Sequence, residues 1–152
     1  MCTVTFIARQ RGYCLGMNRD ENLTRPTGLP PKVKMVNGCA VISPSEPGGG
    51  TWIAVNDHGA TLALINWYSV TARAAGQTVS RGGIVKLALP SDSSALVDAA
   101  LAESSLARVN PFRLIGVFPA QLQFGRNPDV LLYYSLRRSC NCDDRINHDD
   151  RA

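Results

Sequence analysis

Short runs of β-branched and apolar residues recur along this chain, and most of them end at a turn that contains glycine, proline, asparagine or aspartate. Runs of this length with such boundaries are typical of β-strands. They cover residues 2–8, 13–18, 39–43, 51–56, 60–68, 112–118 and 129–136. Because Gln10-Arg11-Gly12 separates the first two runs and Asp57-His58-Gly59 separates 51–56 from 60–68, we predict a β-hairpin at each place.

Helical spacing is found only in the middle of the chain. Residues 91–106 place a set of apolar side chains on one face of a predicted helix. That set is Leu96, Val97, Ala100 and Leu101. The segment 80–89 is ambiguous, and Ser80 could cap a short helix there. The segment 25–31 is rich in proline and glycine and cannot join a sheet interior. Strands with one or two central helices predict an α+β fold.

Length and composition favour one globular domain. The chain has 152 residues, of which 45% are apolar and 18% are charged, so it can bury a sizeable core. We assign residues 1–138 to the domain and residues 139–152 to a polar, disordered tail. The net charge is +4, but the arginines are scattered and do not alternate with aromatic residues, so nucleic acid is not an expected partner.

The chain carries no apolar stretch of the ~18 residues that a membrane span needs, and no secretory signal is recognisable. Its five cysteines are odd in number and scattered, which favours free thiols in a reducing compartment. We therefore expect a cytoplasmic protein. Cys140 and Cys142 with His148 form a poor metal site, because the spacing is too short and the ligands are too few. We expect no bound metal.

Cys2 is the first candidate for chemistry, because it follows the initiator methionine directly. Removal of Met1 would leave a thiol and a free α-amine on one residue. The amine has a pKa of about 7.7–8.0, close to the pH at which a general base works best. One residue then carries both nucleophile and base, which is the logic of an N-terminal nucleophile. The alternative is an ordinary buried cysteine.

Polar residues at the end of the second predicted strand are the next candidates. The four residues Asn18, Arg19, Asp20 and Glu21 should lie beside Cys2 in the first hairpin. An aspartate there could orient the α-amine. The alternative is a set of structural ion pairs. Asn66 interrupts an apolar strand, so its amide is either a structural hydrogen-bonding group or an oxyanion-hole donor that faces the Cys2 sulfur. His58 is expected to be a solvated turn residue.

Several segments together resemble the NRDE family, which includes the transport and Golgi organisation protein 2 homologues. The resemblance rests on the MC start, on NRDEN followed by RP at 18–26, and on GGTW at 49–52. It continues through GATLALINWYS, SRGGIV, NPFRLIGV and DVLLYY, and so covers nearly all of residues 1–135. A more distant likeness is to bile-salt hydrolases and penicillin V acylases.

The resemblance implies a fold, a site and an activity. The fold would be an αββα sandwich of antiparallel sheets of the N-terminal-nucleophile hydrolase type. Cys2 matches the nucleophile, Asp20 the aspartate that binds the α-amine, and Asn66 an oxyanion-hole asparagine. The implied function is amide hydrolysis or acyl transfer on a small molecule through a Cys2 thioester, without a cofactor. The alternative is a non-catalytic carrier of haem or of an acyl or lipid ligand in trafficking or lipid homeostasis, with Cys2 as an axial haem ligand.

The chain departs from the family pattern in two respects. The active-site arginine of the acylases falls at Met17, and Arg19 could replace it from the same strand face. Family members are also usually longer, so the resemblance implies that C-terminal strands are missing. We therefore expect an incomplete sheet that exposes apolar residues such as Leu131 and Tyr133 and promotes self-association.

Overall fold

In a computed structural model of the chain, the structure describes residues 2–9, 12–70, 74 and 76–118, and the backbone of residues 131–136 and 147–148. Within these ranges the protein is α+β and has two antiparallel sheets and two α-helices. This class agrees with the prediction. The predicted exposure of Leu131 and Tyr133 concerns side chains outside the described part, and Cys140 and Cys142 also lie outside it.

The smaller sheet is the predicted first hairpin. Strands β1 (Thr3–Ala8) and β2 (Tyr13–Asn18) pair antiparallel in continuous register, from Thr3 opposite Asn18 to Ala8 opposite Tyr13. Successive side chains of a strand point to opposite faces, and on β2 half-buried and exposed residues alternate accordingly. The half-buried residues of β2 are Tyr13, Leu15 and Met17.

The larger sheet has seven antiparallel strands whose spatial order follows the chain. They are β3 (Leu29–Val36), β4 (Cys39–Ser45), β5 (Ile53–Asn56), β6 (Thr61–Asn66), β7 (Phe112–Val117), β8 (Leu131–Leu136) and β9 (Asn147–His148). The two residues of β9 belong to the predicted polar tail, and they pair with β8.

Two helices, α1 (Gly82–Ala88) and α2 (Ser94–Ala102), connect β6 to β7, and a short 3₁₀ helix follows at Leu106–Arg108. The main apolar core lies between the helices and one face of the larger sheet. Val85 and Val97 are fully buried there against strand residues such as Leu62 and Leu114. Leu96 was predicted to join this core, but it is half exposed. Val97 and Leu101 of the predicted face are buried, and Leu96 lies at the edge of that face, about 100° from Val97.

The hairpin packs on the opposite face of the larger sheet. The Tyr13 hydroxyl donates to the Gly59 carbonyl at 2.7 Å and lies 2.6 Å from the Thr61 hydroxyl. Thr61 precedes Leu62, whose side chain belongs to the helix-facing core, so the two residues lie on opposite faces. Partial burial raises the pKa of Tyr13 above its usual value, although the Thr61 hydrogen bond opposes this. The order of layers is therefore helices, seven-stranded sheet and hairpin.

Asn56 joins the helical layer to the sheet. Its side-chain nitrogen donates to the carbonyls of Leu89 at 3.0 Å and Ser91 at 2.9 Å, and its side-chain oxygen accepts from the Ala60 amide. The residue is buried. A buried amide needs partners of this kind, and these bonds fix the end of α1 against the β5–β6 turn.

Strand β3 was not predicted. Residues 25–31 were assigned to a loop, yet Leu29, Pro30 and Pro31 begin β3. The prolines are tolerated because β3 is the edge strand and its register with β4 shifts between Leu29 and Lys32. The segment does stay out of the sheet interior, as predicted. Asn37 and Gly38 have positive φ angles of 50° and 80° and form the tight turn into β4.

The start of α1 also differs from the prediction. Arg81, and not Ser80, occupies the N-cap position, and no side-chain hydrogen bond caps the helix. The backbone carbonyl of Ser80 accepts from the Gly83 amide instead. Neither α1 nor α2, nor any other helix in the described ranges, is long and apolar enough to cross a lipid bilayer.

Candidate functional site

A cavity of about 230 Å³ lies where the end of the hairpin, the end of β6 and the start of α1 meet. Its walls include Cys2, Arg19, Trp52, Asn66, Arg81 and Gly82. Small-molecule sites are concave and carry a few convergent polar groups, and this cavity has that character.

The strand register brings Cys2 and Arg19 together. Thr3 pairs with Asn18, so one further step along the antiparallel ladder places Cys2 opposite Arg19. Both residues line the cavity, and so does Met17, which is two residues before Arg19 on the same strand face. Cys2 is half-buried and its thiol is free.

Arg19 is held from several sides. Its guanidinium lies 3.8 Å from the centroid of the Trp52 ring, within the distance of a cation–π contact. Its Nε donates to Glu21 at 2.8 Å, and its Nη2 donates both to Glu21 and, at 2.7 Å, to Glu46. Only 17% of the Arg19 side chain is exposed. The cationic group is therefore fixed at the cavity wall.

Arg25 closes these contacts into a ring of four charges. It donates to Glu21 and to Glu46 at 2.7 Å each, so both carboxylates bridge the two arginines. Burial opposes ionisation of Glu21, but the hydrogen bonds from Arg25 and Arg19 outweigh it and hold the pKa of Glu21 below its usual value. The hydrogen bond to Glu21 raises the pKa of Arg25. All four members line the cavity.

Glycines of the GGTW and SRGG segments allow the start of α1 to pack closely against the loop before β5. This contact lies beside the four charged side chains. A Cβ atom built on Gly82 would lie 2.9 Å from the Gly50 Cα and 2.9 Å from the Thr51 amide nitrogen. A Cβ atom on Gly28 would lie 2.7 Å from the Trp52 ring. The loop that carries Glu46 is closed by backbone hydrogen bonds from Glu46 to Gly50 and from Gly49 to Glu46.

Asn66 is the last residue of β6 and is half-buried at the cavity wall. Its side-chain nitrogen donates to the Tyr68 hydroxyl at 2.8 Å. A side-chain amide nitrogen carries two hydrogens, so this bond leaves one for a ligand. The structure thus brings Cys2, Arg19 and Asn66 to one cavity.

The other two predicted site residues lie elsewhere. Asn18 and Asp20 are both exposed, and neither is among the described residues that line the cavity. Their positions follow from strand alternation, since Met17 and Arg19 take the inward face. The predicted catalytic roles of all five residues stay predictions.

Glu46 and Trp52 were not predicted as site residues, although Trp52 belongs to the GGTW segment. The sequence around each residue does not indicate its role, because Glu46 and Trp52 contact Arg19, which is distant along the chain. Ion pairs were one interpretation of the polar strand end that contains Glu21, and the structure pairs Glu21 with Arg19 and Arg25.

A second group of polar residues lies at the β5–β6 turn. The Cys39 thiol donates to the Asp57 carboxylate at 3.0 Å, which raises the pKa of Cys39 and lowers that of Asp57. His58 is half exposed beside them, as expected of a turn residue.

Comparison with known proteins supports the resemblance seen in the sequence. The model of the family Transport and Golgi organisation 2 matches residues 1–147. No curated protein matches the chain.

Proposed function

The chain belongs to the Transport and Golgi organisation 2 family, and we propose that it is a cysteine N-terminal-nucleophile enzyme. It would hydrolyse a linear, non-peptide amide or transfer its acyl group through a thioester on Cys2. Its fold would be the αββα sandwich of that superfamily, and its location the cytoplasm. The single observation that carries the proposal is a free, half-buried Cys2 thiol at a cavity that also contains a fixed arginine and a side-chain amide.

Cys2 supplies both the nucleophile and the general base of this reaction. After removal of Met1, the α-amine accepts the thiol proton and the sulfur attacks the acyl carbon. The C–N bond breaks as the ammonium returns a proton to the leaving amine, and a thioester remains on Cys2. Water then attacks the thioester, the α-amine accepts its proton, and the acid leaves as the thiol is restored. An amine acceptor in place of water gives acyl transfer.

Asn66 and Arg19 would serve the same intermediate in different ways. The free hydrogen of the Asn66 amide can stabilise the oxyanion that forms on the carbonyl oxygen. Arg19 is held in place by two carboxylates, so it is suited to positioning rather than to proton transfer. Asp20 would orient the α-amine from the exposed side of the strand end, and Asn18 stays a predicted site residue without an assigned role.

The cavity volume favours this proposal over a haem carrier. About 230 Å³ is below the roughly 300–1,000 Å³ of pockets that hold drug-sized ligands, and a porphyrin is larger than many such ligands. The walls near Cys2 also carry the four-charge ring rather than a flat apolar surface. The size and polarity of this cavity therefore suit a small amide better than a haem group.

The test is trapping of the acyl group. We expect intact mass spectrometry to show a chain that begins at Cys2, and activated acyl esters to add one acyl group at that residue. Cys2→Ala should abolish the adduct. An uncleavable N-terminal extension should abolish it too, because an amide nitrogen cannot accept the proton. The rate should rise through an apparent pKa of roughly 7 to 8.

Cys14→Ala is the matched control, because Cys14 is an exposed free thiol on the same hairpin. It should leave the adduct at Cys2 unchanged. Reactive protein that retains Met1 would show that the proposed mechanism is wrong. A Soret band on haem titration that Cys2→Ala removes would favour the carrier instead.

A further inference from the structure

Three side chains that commonly bind metal ions meet away from the cavity, at the junction of β4 with the β5–β6 turn. Cys39 is the first residue of β4, and Asp57 and His58 follow β5 directly. The β4–β5 ladder pairs Val41 with Asn56, which brings the start of β4 beside the turn. None of the three side chains lines the cavity described above.

Backbone contacts fix this arrangement. The Asp57 amide donates to the Ala40 carbonyl at 2.9 Å, and the Ala40 amide donates to the Asp57 Oδ2 at 3.0 Å. The second carboxylate oxygen, Oδ1, is directed at the Cys39 sulfur. Outer hydrogen bonds of this kind orient a carboxylate that binds a metal ion.

The distances suit a small tetrahedral ion. The Cys39 sulfur lies 3.0 Å from Asp57 Oδ1, which lies 3.7 Å from His58 Nε2. One ligand atom from each residue lies within 4.8 Å of the other two. Bond lengths of about 2.0–2.3 Å in a tetrahedral zinc site correspond to ligand separations of roughly 3.3–3.6 Å. An ion between Cys39 and Asp57 requires their 3.0 Å separation to lengthen by roughly 0.3–0.6 Å, and rotation of the exposed His58 ring can bring its nitrogen into range.

Contrary to the expectation from the sequence that no metal is bound, we propose that Cys39, Asp57 and His58 bind one Zn²⁺ ion, with the fourth position open to solvent. A thiolate and an imidazole favour zinc over the harder ions Mg²⁺ and Ca²⁺. Binding forms the sulfur–zinc bond and releases the thiol proton to the buffer. The ion enters from solvent, because Asp57 and His58 are about half exposed while Cys39 is buried beneath them. The bound ion connects β4 to the β5–β6 turn.

Co²⁺ is the probe, because a thiolate ligand and tetrahedral geometry give it characteristic visible and near-ultraviolet absorption. The full chain is titrated with Co²⁺ in a buffer that contains a phosphine reductant, and Zn²⁺ is then added. We expect one equivalent of Co²⁺ to produce thiolate absorption and Zn²⁺ to displace it. His58→Ala should weaken Co²⁺ binding by at least about 100-fold, since loss of an outer partner alone costs 10–100-fold. Cys39→Ser should remove the thiolate band.

Other cysteines provide the controls. Cys2→Ala, Cys14→Ser and the double change Cys140→Ser with Cys142→Ser should each keep the absorption. Cys39 is buried, so Cys39→Ser could disturb folding, whereas His58 lies in an exposed turn and its replacement should leave the circular dichroism spectrum unchanged. An unchanged Co²⁺ affinity in His58→Ala, or loss of the absorption with the Cys140 and Cys142 changes, would overturn the proposal. So would the absence of any thiolate band.

Discussion

Replacement of Gly82 by alanine tests the close approach of α1 to the loop before β5. The added Cβ would lie 2.9 Å from the Gly50 Cα, 2.9 Å from the Thr51 nitrogen and 3.1 Å from the Thr51 oxygen. All three are backbone atoms, so no side-chain rotation can relieve the contact. The helix or the loop must move.

Gly83 provides a matched control. It is the next residue of the same helix, and a Cβ there meets nothing within 4 Å. Gly82 and Gly83 both lie in the first turn of α1, so any gain in helix propensity from alanine is about the same in the two variants. The difference between Gly82→Ala and Gly83→Ala therefore isolates the overpacking, which typically costs about 1–3 kcal/mol.

Urea unfolding followed by tryptophan fluorescence measures both variants. We expect Gly83→Ala to match or exceed the wild type in free energy of unfolding. Gly82→Ala should be less stable than Gly83→Ala by about 1–3 kcal/mol. Two variants equal within about 0.5 kcal/mol would mean that the loop yields freely, and close backbone packing would then not account for the first glycine of the SRGG segment.

Three further changes test other contacts. Asn56→Ala should lower the free energy of unfolding by about 2–4 kcal/mol, because two buried carbonyls and one amide lose their partner; a loss below about 1 kcal/mol would contradict this. Tyr13→Phe should cost about 1 kcal/mol through the hydrogen bonds that join hairpin and sheet, and an unchanged urea midpoint would argue against it. Glu21→Gln should cost up to about 1 kcal/mol at pH 7. Because folding lowers the pKa of Glu21, that contribution is present above the ordinary carboxyl pKa of about 4.3 and is lost as the pH falls through the lower folded-state value. The wild-type advantage over Glu21→Gln should therefore shrink in acid, and a constant difference would refute the assignment.

Local signals made much of the fold predictable. A strand is indicated by a short apolar run, and a hairpin by the turn residues between two runs, so β1, β2, β5 and β6 were found from the sequence. The strand β3 was missed because its prolines obscure the run, although Asn37-Gly38 is a strong hairpin signal. An edge position tolerates those prolines, and only the sheet order shows which strand lies at an edge.

The candidate site likewise has residues that the sequence indicates and contacts that only the tertiary structure decides. The sequence alone indicated Cys2, Arg19 and Asn66, because their residue types and motif positions carry the family resemblance, and strand alternation already put Arg19 on the same face as Met17. The contacts of Arg19 with Glu46 and Trp52, and of Cys39 with Asp57, were decided by the tertiary structure. Those partners are separated by long stretches of chain, and periodicity determines which face a side chain takes but not which distant element packs against it.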